Sequence, residues 1–336
     1  RVRLSGVGEI RHFPLNLNSL LAAVEAAPPV AAADVLAGAL AEAIDAREVG
    51  FLIADFSGPS LIRLGHAGGK GRLQGTETAE RVPLVGTPHG RALAAQVVEV
   101  IDEEGGARLF APVTSRGEAV GVLELLLDDF PAEQTVADVA QAAHFLAYVV
   151  IANRRYTDLF EWGQRSVPLS LAAEIQHRLL PGAFTCEAGQ FTLAAWLQPA
   201  GEIGGDTFDF SLDRDALHLS MTDAMGHTMD AALLATVLVG GLRNARRRGV
   251  ELAEQARLAN DALAKQASES QFVTGLVVRI DLAAATAGIV NAGHPPPFRL
   301  RGGQVEQLDL KADRPFGLQA GGGYRVQALQ LEVGDR

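Results

Sequence analysis

The spacing of apolar residues predicts a helix followed by paired strands in the N-terminal half of the chain. Residues 31–48 are rich in alanine and carry apolar side chains three and four positions apart, which is the period of an amphipathic helix. Residues 49–56, VGFLIADF, indicate a buried strand, and residues 59–72, PSLIRLGHAGGKGR, indicate a second strand that runs into a glycine-rich loop. Residues 107–129 predict two more strands, which are joined by a turn at Arg116–Gly117.

A second hydrophobic pattern extends from Val139 to Val167, where apolar residues recur at alternating spacings of three and four positions. This heptad pattern is typical of a coiled coil, and Asn153 falls at one of its core positions, where an asparagine fixes the register and favours two strands. Two interpretations are open: a parallel linker helix that makes the protein a homodimer, or an amphipathic helix packed on its own domain. Pro168 interrupts the helix, and residues 169–181, LSLAAEIQHRLLP, predict a further one.

The C-terminal half alternates apolar and polar residues with a period of two, which predicts antiparallel strands. One predicted strand, DTFDFSL, starts at Asp206 directly after Gly204 and Gly205; a lone Gly-Gly-Asp is most simply a tight turn into a strand. Another, ALHLSMTD, ends at Asp223, where the chain passes into a predicted helix within residues 224–238. Two carboxylates at neighbouring strand ends can hold hard divalent cations such as Mg²⁺ or Mn²⁺.

The composition is that of a globular protein of roughly two domains. The 336 residues are 48% hydrophobic and 21% charged with a net charge of −11, so a nucleic-acid backbone would be repelled. The densest basic cluster, at Arg243 and residues 246–248, is favoured at a helix C-terminus by the helix dipole, which is a simpler interpretation than nucleic-acid binding. Cys186 is the only cysteine, which favours a reducing, cytoplasmic location. No run is long enough by this reading to span a bilayer, so we expect no membrane partner.

Residues 31–150 resemble a GAF domain, the small-ligand or partner-sensing module. The resemblance rests on the order of helix, strand pair, small helix (GTPHGRALAAQ, residues 86–96) and the segment APVTSRGEAVGVLEL (residues 111–125). It implies an antiparallel sheet with flanking helices, and an unknown small ligand or partner.

Residues 170–336 carry motifs in the order and spacing of the SpoIIE/RsbU-type metal-dependent serine/threonine phosphatases, the bacterial branch of the PPM family. The motifs are, in chain order, LAAEIQHRLLP, QPAGEIGGDTFDF, MTDAMGHTMDAALLAT, QFVTGLVVRIDLAAATAGIVNAGHPPPFRLRGG and RPFGL…LEVGD. The resemblance implies an α+β protein in which a PPM-type α-β-β-α sandwich, two packed sheets with helices outside, follows the sensor. The expected divisions are an irregular N-terminal segment, a GAF-like domain, a helical linker and a phosphatase domain, over residues 1–30, 31–150, 151–181 and 182–336.

The resemblance also implies a centre of two divalent ions, Mn²⁺ or Mg²⁺. Asp206 is then a ligand of one ion, and Asp223 bridges both, with the backbone carbonyl of Ala224 as a further ligand. Ions held in this way would activate water for direct attack on a phosphate ester. Supporting roles are expected for glycines that let the backbone approach the ions and for polar residues of the motifs, namely Gly204, Gly205, Asp209, Gly226, His227, Asn291 and His294.

Several of these supporting residues have two roles open. Asp209 either supports the ligands from behind or stabilises the fold. His227, Asn291 and His294 are hydrogen-bonded loop anchors, or one of the histidines is a catalytic imidazole. Thr228 stands where the family usually has a glycine, and we expect it to cap the helix that follows.

The chain ends at Arg336, before the Thr-Asp-Gly segment that supplies a further acidic ligand in the family. Either the sequence is a piece of a longer protein with a C-terminally incomplete phosphatase domain, or catalysis has been lost. The absence of a first methionine favours a piece. We expect the chain as given to show little activity and weak metal binding.

The leading hypothesis is a cytoplasmic protein phosphatase that its GAF-like domain regulates through the helical linker. By resemblance, its substrate would be a phosphoserine or phosphothreonine on a STAS-type anti-anti-sigma factor. An alternative is a catalytically inactive pseudophosphatase that docks a regulatory partner. A third is a ligand-sensing scaffold in which the GAF-like half carries the function.

Overall fold

The computed structural model describes residues 16–56, 58–67, 80–164, 169–197, 205–226, 228–268 and 270–336. The chain divides into two compact units, a first unit of residues 1–168 and a second unit of residues 169–336. The finer division, with boundaries at 30, 150 and 181, stays a prediction.

The first unit is an antiparallel sheet with helices on both faces. Its helices are α1 (Leu17–Ala26), α2 (Ala32–Ile44), α3 (Pro88–Ala95), α4 (Glu133–Asn153) and α5 (Leu159–Gly163). Its strands are β1 (Glu48–Ala54), β2 (Ser60–Ala67), β3 (Arg81–Pro83), β4 (Glu99–Glu103), β5 (Gly106–Ser115) and β6 (Glu118–Leu127). They form one six-stranded sheet in the order β3-β2-β1-β6-β5-β4, with every neighbouring pair antiparallel.

The two faces of this sheet are covered by different helices. Helices α2 and α4 bury apolar residues such as Leu40 and Leu146 against one face, because their apolar positions repeat with the helical period. The short helix α3 covers the other face, where Ala92 packs with Leu52 and Phe110. The predicted antiparallel sheet with flanking helices is therefore confirmed.

Local predictions in the first unit are mostly confirmed. Helix α2, strand β1 and the β5–β6 hairpin lie where the pattern places them. Arg116 and Gly117 both have positive φ, 50° and 79°, which is the geometry of a tight hairpin turn that matches the strand twist. The prediction of an irregular segment up to residue 30 is wrong for α1, which Asn16 caps and which buries Leu20 and Val24.

The predicted continuous linker helix over 139–167 is also wrong. Helix α4 ends at Asn153, whose side-chain amide donates to the carbonyl of Val149 in the same helix. The early seam residues, including Val139 and Leu146, are buried in the core of the first unit. This part of the pattern is thus the face of an amphipathic helix packed on its own domain. Residues 165–168 lie outside the described residues, and the homodimer stays a prediction.

Helix α4 also corrects the expectation that no segment is long enough to cross a bilayer. It has 21 residues and, by length and composition alone, is the one helix in the described part of the chain that could span a membrane. Its buried face, which includes Ala142, Leu146 and Val150, belongs to the first unit's core. The buried core helix of a globular domain can meet the same criteria of length and composition, so these criteria alone are weak evidence for a membrane span.

A buried ionic cluster lies on the α3 face of the first unit. The carboxylate of Glu124 accepts hydrogen bonds from Arg63 at 3.0 Å and from Arg108 at 2.7 Å. His89 of α3 lies 3.5 Å from the same carboxylate and packs edge-on against Phe110. Burial alone would raise the pKa of Glu124, but the contact with His89 and the two arginines outweigh it and lower the pKa to about 2.

The second unit is built around a five-stranded antiparallel sheet. Its helices are α6 (Leu171–Leu179), α7 (Met229–Arg247) and α8 (Leu252–Ala264). Its strands are β7 (Thr185–Glu187), β8 (Thr192–Ala194), β9 (Gly205–Leu212), β10 (Ala216–Ala224), β11 (Val273–Asp281), β12 (Thr286–Ala292), β13 (Phe298–Arg301), β14 (Gln304–Gln307) and β15 (Gln327–Gln330). The sheet order is β15-β12-β11-β10-β9, and β7–β8 and β13–β14 are separate two-stranded ladders.

Helices α7 and α8 cover one face of the five-stranded sheet. Their apolar sides, with residues such as Leu238 and Ala256, pack on Val273 and Phe316. On the other face, Leu276 packs with a cluster that includes apolar residues of the segment after β14. The second unit is α+β, as predicted. Within the described residues, the other ladders of this unit are the short pairs β7–β8 and β13–β14.

Candidate metal and phosphate site

Two carboxylates face each other at one end of the five-stranded sheet. Strands β9 and β10 pair in a register that sets Asp206 opposite Asp223 and Gly205 opposite Ala224. Side chains of directly opposed residues on antiparallel strands have their Cβ atoms about 4.5–5.5 Å apart. The two acids that the sequence singled out are therefore direct neighbours.

The carboxylate pair lies on the sheet face away from α7 and α8. Asp209, three residues after Asp206 on β9, turns toward α7 and bonds there to Arg243. Because side chains alternate along a strand, Asp206 and its partner Asp223 point to the opposite face. That face is open to a ligand at this end of the sheet, where both acids are exposed in part.

The electrostatics of the carboxylate pair favour the binding of a cation. Burial raises the pKa of the Asp223 carboxyl, the negative charge of Asp206 raises it further, and His294 offsets part of the effect. Two adjacent carboxylates repel each other when both are ionised, and a bound cation would remove this cost.

Gly205 lets the backbone of β9 approach β10 closely. A Cβ atom at this position would lie 2.2 Å from the carbonyl oxygen of Ala224, so only glycine fits. Gly226 has a φ of 99°, in the left-handed region that favours glycine. Gly204 and His227 lie outside the described residues.

His294 is held beside the carboxylates by the loop that follows β12. Its Nδ1 lies 2.9 Å from the hydroxyl of Thr274, the residue opposite Asp223 on β11. The buried side chain of Asn291 accepts from the His294 backbone N–H and donates to its carbonyl. Burial lowers the pKa of His294, and the charges of Asp223 and Asp206 offset this in part. Asn291 thus has the geometry of a loop anchor, and His294 is within electrostatic range of both acids.

Asp209 is an anchor between the sheet and α7. Its carboxylate is buried and accepts from Arg243 at 2.8 Å and from Arg246 at 3.0 Å. This pairing accounts for two members of the basic cluster, which therefore do not form a free cationic patch.

Thr228 occupies the N-cap position of α7, as predicted, but its side chain makes no capping hydrogen bond. The expectation that its hydroxyl caps the helix is therefore wrong in its detail. The position tolerates threonine because a cap residue has extended backbone, which Thr228 adopts with φ −111° and ψ −175°.

Sequence reasoning missed Gln176 of α6. This side chain is 3% exposed and donates to the backbone carbonyl of Asp206, so it fixes the strand end that carries the first acid. The available signal was a glutamine inside the amphipathic helix of the first motif, LAAEIQHRLLP, and the same pattern is equally compatible with a solvent-exposed glutamine.

The donor set fits a hard divalent ion. Asp206 and Asp223 provide two carboxylates with unbalanced charge, and Gly205 allows the close approach of β9 and β10 at this point. Within the described residues, however, no group of three or more acidic, histidine or cysteine side chains is placed to share one ion.

An antiparallel sheet that ends in two facing carboxylates agrees with the class of protein that the motifs indicate. Residues 213–336 match the family described as Stage II sporulation protein E (SpoIIE). Asp223 and His294 lie inside this segment, and Asp206 lies just before it. The match confirms the resemblance to the SpoIIE/RsbU-type phosphatases of the PPM class.

Parts of the chain are similar to individual proteins and solved structures. The phosphoserine phosphatase RsbU of Bacillus subtilis (strain 168) is 22% identical over 168 residues, which are 50% of this chain and 50% of that protein. The RsbU and RsbW domains of Rv1364c from Mycobacterium tuberculosis superpose with a TM-score of 0.37 at 28% identity, covering 40% of this chain and 38% of that one. The GAF domain of an Acinetobacter phosphoenolpyruvate-protein phosphotransferase gives a TM-score of 0.35 at 14% identity, covering 42% of this chain and 95% of that one. The chain spans about half the length of this B. subtilis relative.

Proposed function

We propose that this protein is a metal-dependent protein phosphatase of the SpoIIE/RsbU type that hydrolyses phosphoserine or phosphothreonine in another protein. The observation that carries the proposal is the cross-strand pairing of Asp206 with Asp223 at an accessible end of the sheet. The match of the adjoining residues to the SpoIIE family supports it.

Asp206, Asp223 and the carbonyl of Ala224 are the groups that would hold divalent ions, Mn²⁺ or Mg²⁺. Such ions, when bound, stabilise charge on phosphoryl oxygens and lower the pKa of a coordinated water. The chain's own residues keep this edge in place: Gln176 fixes the carbonyl of Asp206. His294 has a lowered pKa, so its imidazole is neutral at pH 7 and can hydrogen-bond to a phosphate ester.

The physiological substrate that we infer is a phosphorylated regulator of the STAS type in bacterial sigma-factor control. The B. subtilis relative is named a phosphoserine phosphatase, which supports this substrate class. In the same proposal the GAF-like first unit takes a small ligand or a partner and thereby alters phosphatase activity, in a cytoplasmic homodimer.

A second candidate is a pseudophosphatase that binds the phosphorylated partner without hydrolysing it. It is favoured by one observation: the described residues place two carboxylates, and no larger group of ligands, at the site. Weak metal binding would then leave a phosphoprotein-docking surface.

Turnover by the full-length protein separates the two candidates. The assay measures Mn²⁺-dependent hydrolysis of p-nitrophenyl phosphate and of a phosphoserine peptide. Because Asp206 and Asp223 would hold the ions, Asp206→Asn and Asp223→Asn are expected to lower kcat/KM by about 100-fold or more. Asp213→Asn, an exposed acid on the β9–β10 turn, is the control and should keep wild-type turnover.

Turnover that is indifferent to Asp223→Asn would contradict the phosphatase proposal. Binding of the phosphopeptide without turnover by the wild type would favour the docking module instead.

A further inference from the structure

Thr274 of β11 is a neighbour of the carboxylate pair that is not among the proposed metal ligands. Strands β10 and β11 pair in a register that sets it directly opposite Asp223. Directly opposed residues of antiparallel strands share one face of the sheet, so the Thr274 hydroxyl lies on the face that carries Asp206 and Asp223. The next residue agrees with this orientation, since a Cβ on Gly275 would lie 3.2 Å from Phe316 on the helix-covered face.

The hydroxyl of Thr274 holds the imidazole of His294. Its Oγ1 atom lies 2.9 Å from the His294 Nδ1 atom, and this contact connects β11 to the loop that follows β12. The ring is close enough to Asp206 and Asp223 for the charges of both acids to act on it. Thr274 thus ties the imidazole to the strand that lies next to Asp223.

The backbone of His294 is fixed by other contacts. The buried side chain of Asn291 bonds to both the N–H and the carbonyl of His294. Gly293 packs on Pro315, because a Cβ on this glycine would lie 2.7 Å from the proline ring. These contacts act on the backbone and leave the imidazole free to rotate about its side-chain bonds. The contact from Thr274 is the hydrogen bond that restrains the ring itself within the described part of the chain.

The tautomer of His294 decides what the ring can offer to a ligand. A neutral imidazole has one N–H donor and one acceptor nitrogen, and a threonine hydroxyl can serve as the partner of either. The groups at the carboxylate edge are acceptors, since Asp206 and Asp223 are carboxylates and a phosphate ester offers oxygen lone pairs. An N–H directed at this edge is attracted by the negative charge, whereas an acceptor nitrogen is repelled.

The second ring nitrogen of His294 is open to a ligand. Nε2 makes no hydrogen bond to the residues that the structure describes, and it is not one of the buried unpartnered atoms among them. It is therefore reached by solvent. Burial lowers the pKa of His294 although the charges of Asp223 and Asp206 oppose this shift, which agrees with a neutral ring at pH 7.

We propose that Thr274 is a positioning residue for His294. Its hydroxyl donates to Nδ1, which leaves the proton on Nε2 and directs this N–H at a phosphoryl oxygen of a substrate held at Asp206 and Asp223. This inference rests on the proposed function and adds to it the group that keeps the imidazole in one tautomer. Neither residue forms or breaks a bond, because the N–H only stabilises the charge that grows on the oxygen.

The tautomer is measured by ¹⁵N NMR of the full-length protein with labelled histidine. The spectra are taken without metal or substrate, and His294 is assigned from the signal that His294→Ala removes. We expect the pattern of an Nε2–H ring in the wild type. Thr274→Val keeps the shape of the side chain without its hydroxyl, so the ring should become a mixture of tautomers. Thr274→Ser keeps the hydroxyl and should retain the wild-type pattern.

Turnover tests whether this tautomer matters to the reaction. Thr274→Val should lower kcat by about tenfold, the loss that corresponds to one neutral hydrogen bond. The loss should be the same for p-nitrophenyl phosphate and for a phosphoserine peptide, because both present phosphoryl oxygens. Thr274→Ser should keep most of the wild-type rate. Thr286→Val is the matched control, since Thr286 pairs with Asp281 and Gln330 at the other end of the sheet, and it should leave kcat and the spectrum unchanged.

A double-mutant cycle separates action through His294 from general damage to β11. If Thr274 acts only by positioning the ring, Thr274→Val should cost nothing further in the His294→Ala background. The affinity of Thr274→Val for Mn²⁺, measured by calorimetry, should equal that of the wild type.

Three results would overturn the inference: an Nδ1–H ring in the wild type, a tautomer that is unchanged in Thr274→Val, or an equal loss of kcat by Thr274→Val with and without His294. Turnover that is insensitive to Asp223→Asn would instead contradict the phosphatase proposal. Because the tautomer is measured without metal or substrate, the two failures are seen separately.

Discussion

Gly205 is the residue on which the geometry of the carboxylate pair depends most directly. The carbonyl of Ala224 lies where a Cβ of residue 205 would be, at 2.2 Å, and both groups are backbone or directly attached to it. Neither can rotate away, so a side chain here must push β9 and β10 apart at the point where Asp206 meets Asp223.

Gly205→Ala is therefore expected to destabilise the second unit by about 1–3 kcal/mol, the usual cost of overpacking, and to lower metal-dependent activity. Urea unfolding followed by circular dichroism measures the first effect. Gly240→Ala is the control: it lies on α7 with nothing within 4 Å of the added Cβ, and should stabilise by up to about 1 kcal/mol. Equal stability of Gly205→Ala and wild type would contradict the close approach.

Glu124 gives the first unit a defined acid sensitivity. Its pKa is lowered from 4.5 to about 2 in the folded protein, so the folded state favours the ionised form. This stabilisation is complete above about pH 4.5 and is lost as the pH falls toward 2.

Glu124→Gln should thus destabilise the first unit at pH 6 by about 1.5–3 kcal/mol, the range for hydrogen bonds to charged groups, and the difference from wild type should shrink as the pH falls from 5 to 2. Unfolding free energies measured over this range test it. Asp128→Asn, which removes an exposed ion pair with Arg47, should cost under about 1 kcal/mol. A difference between Glu124→Gln and wild type that is constant with pH would contradict the lowered pKa.

Residues whose chemistry is local could be predicted from the sequence, and residues that act through tertiary contacts could not. Asp206 and Asp223 were found because an acid at a strand end beside glycine is conspicuous, and their register follows from the short turn between β9 and β10. The orientation of Asp209 toward Arg243, and the reach of Gln176 to β9, depend on how α6 and α7 pack. No spacing along the chain encodes these contacts.

At the scale of elements, α4 is the clearest example of an ambiguous pattern. A spacing of three and four positions marks both a coiled-coil seam and a helix packed on a sheet, since each requires one apolar stripe. The structure places Val139, Ala142 and Leu146 in the core of the first unit. The stripe is thus already buried within one chain.

Leu146→Ala should therefore destabilise the first unit by about 2–5 kcal/mol, as is usual for a buried leucine, and by the same amount at every protein concentration. Thermal unfolding at several concentrations, with sedimentation to follow the oligomeric state, measures both. Tyr148→Ala, at an exposed position of the same helix, is the control and should change stability by less than about 1 kcal/mol. A loss of stability in Leu146→Ala that depends on protein concentration would instead support the interpretation of this pattern as the seam of a dimeric coiled coil.

Helix α1 was missed because the nearby Pro28–Pro29 pair suggested an irregular segment. Its apolar residues do recur with the helical period, at Leu17, Leu20, Leu21 and Val24. Burial of Leu20 and Val24, together with the Asn16 cap, stabilises the helix.

For the whole molecule, the α+β class followed from the resemblance to GAF domains and SpoIIE/RsbU-type phosphatases, and the presence of roughly two domains followed from the length of the chain. The number of converging ligands did not, because it depends on which strands meet at one edge. Among the described residues, that edge holds two carboxylates. Whether the second unit binds a divalent ion is therefore the property that distinguishes the two candidate functions.

Calorimetric titration of Mn²⁺ into the protein tests this most directly. Wild type should bind with weak but saturable affinity, and Asp206→Asn and Asp223→Asn should each bind at least about tenfold more weakly, because either change removes half of the carboxylate pair. Asp213→Asn should bind as wild type does. Unaltered Mn²⁺ affinity in both Asp206→Asn and Asp223→Asn would contradict the account.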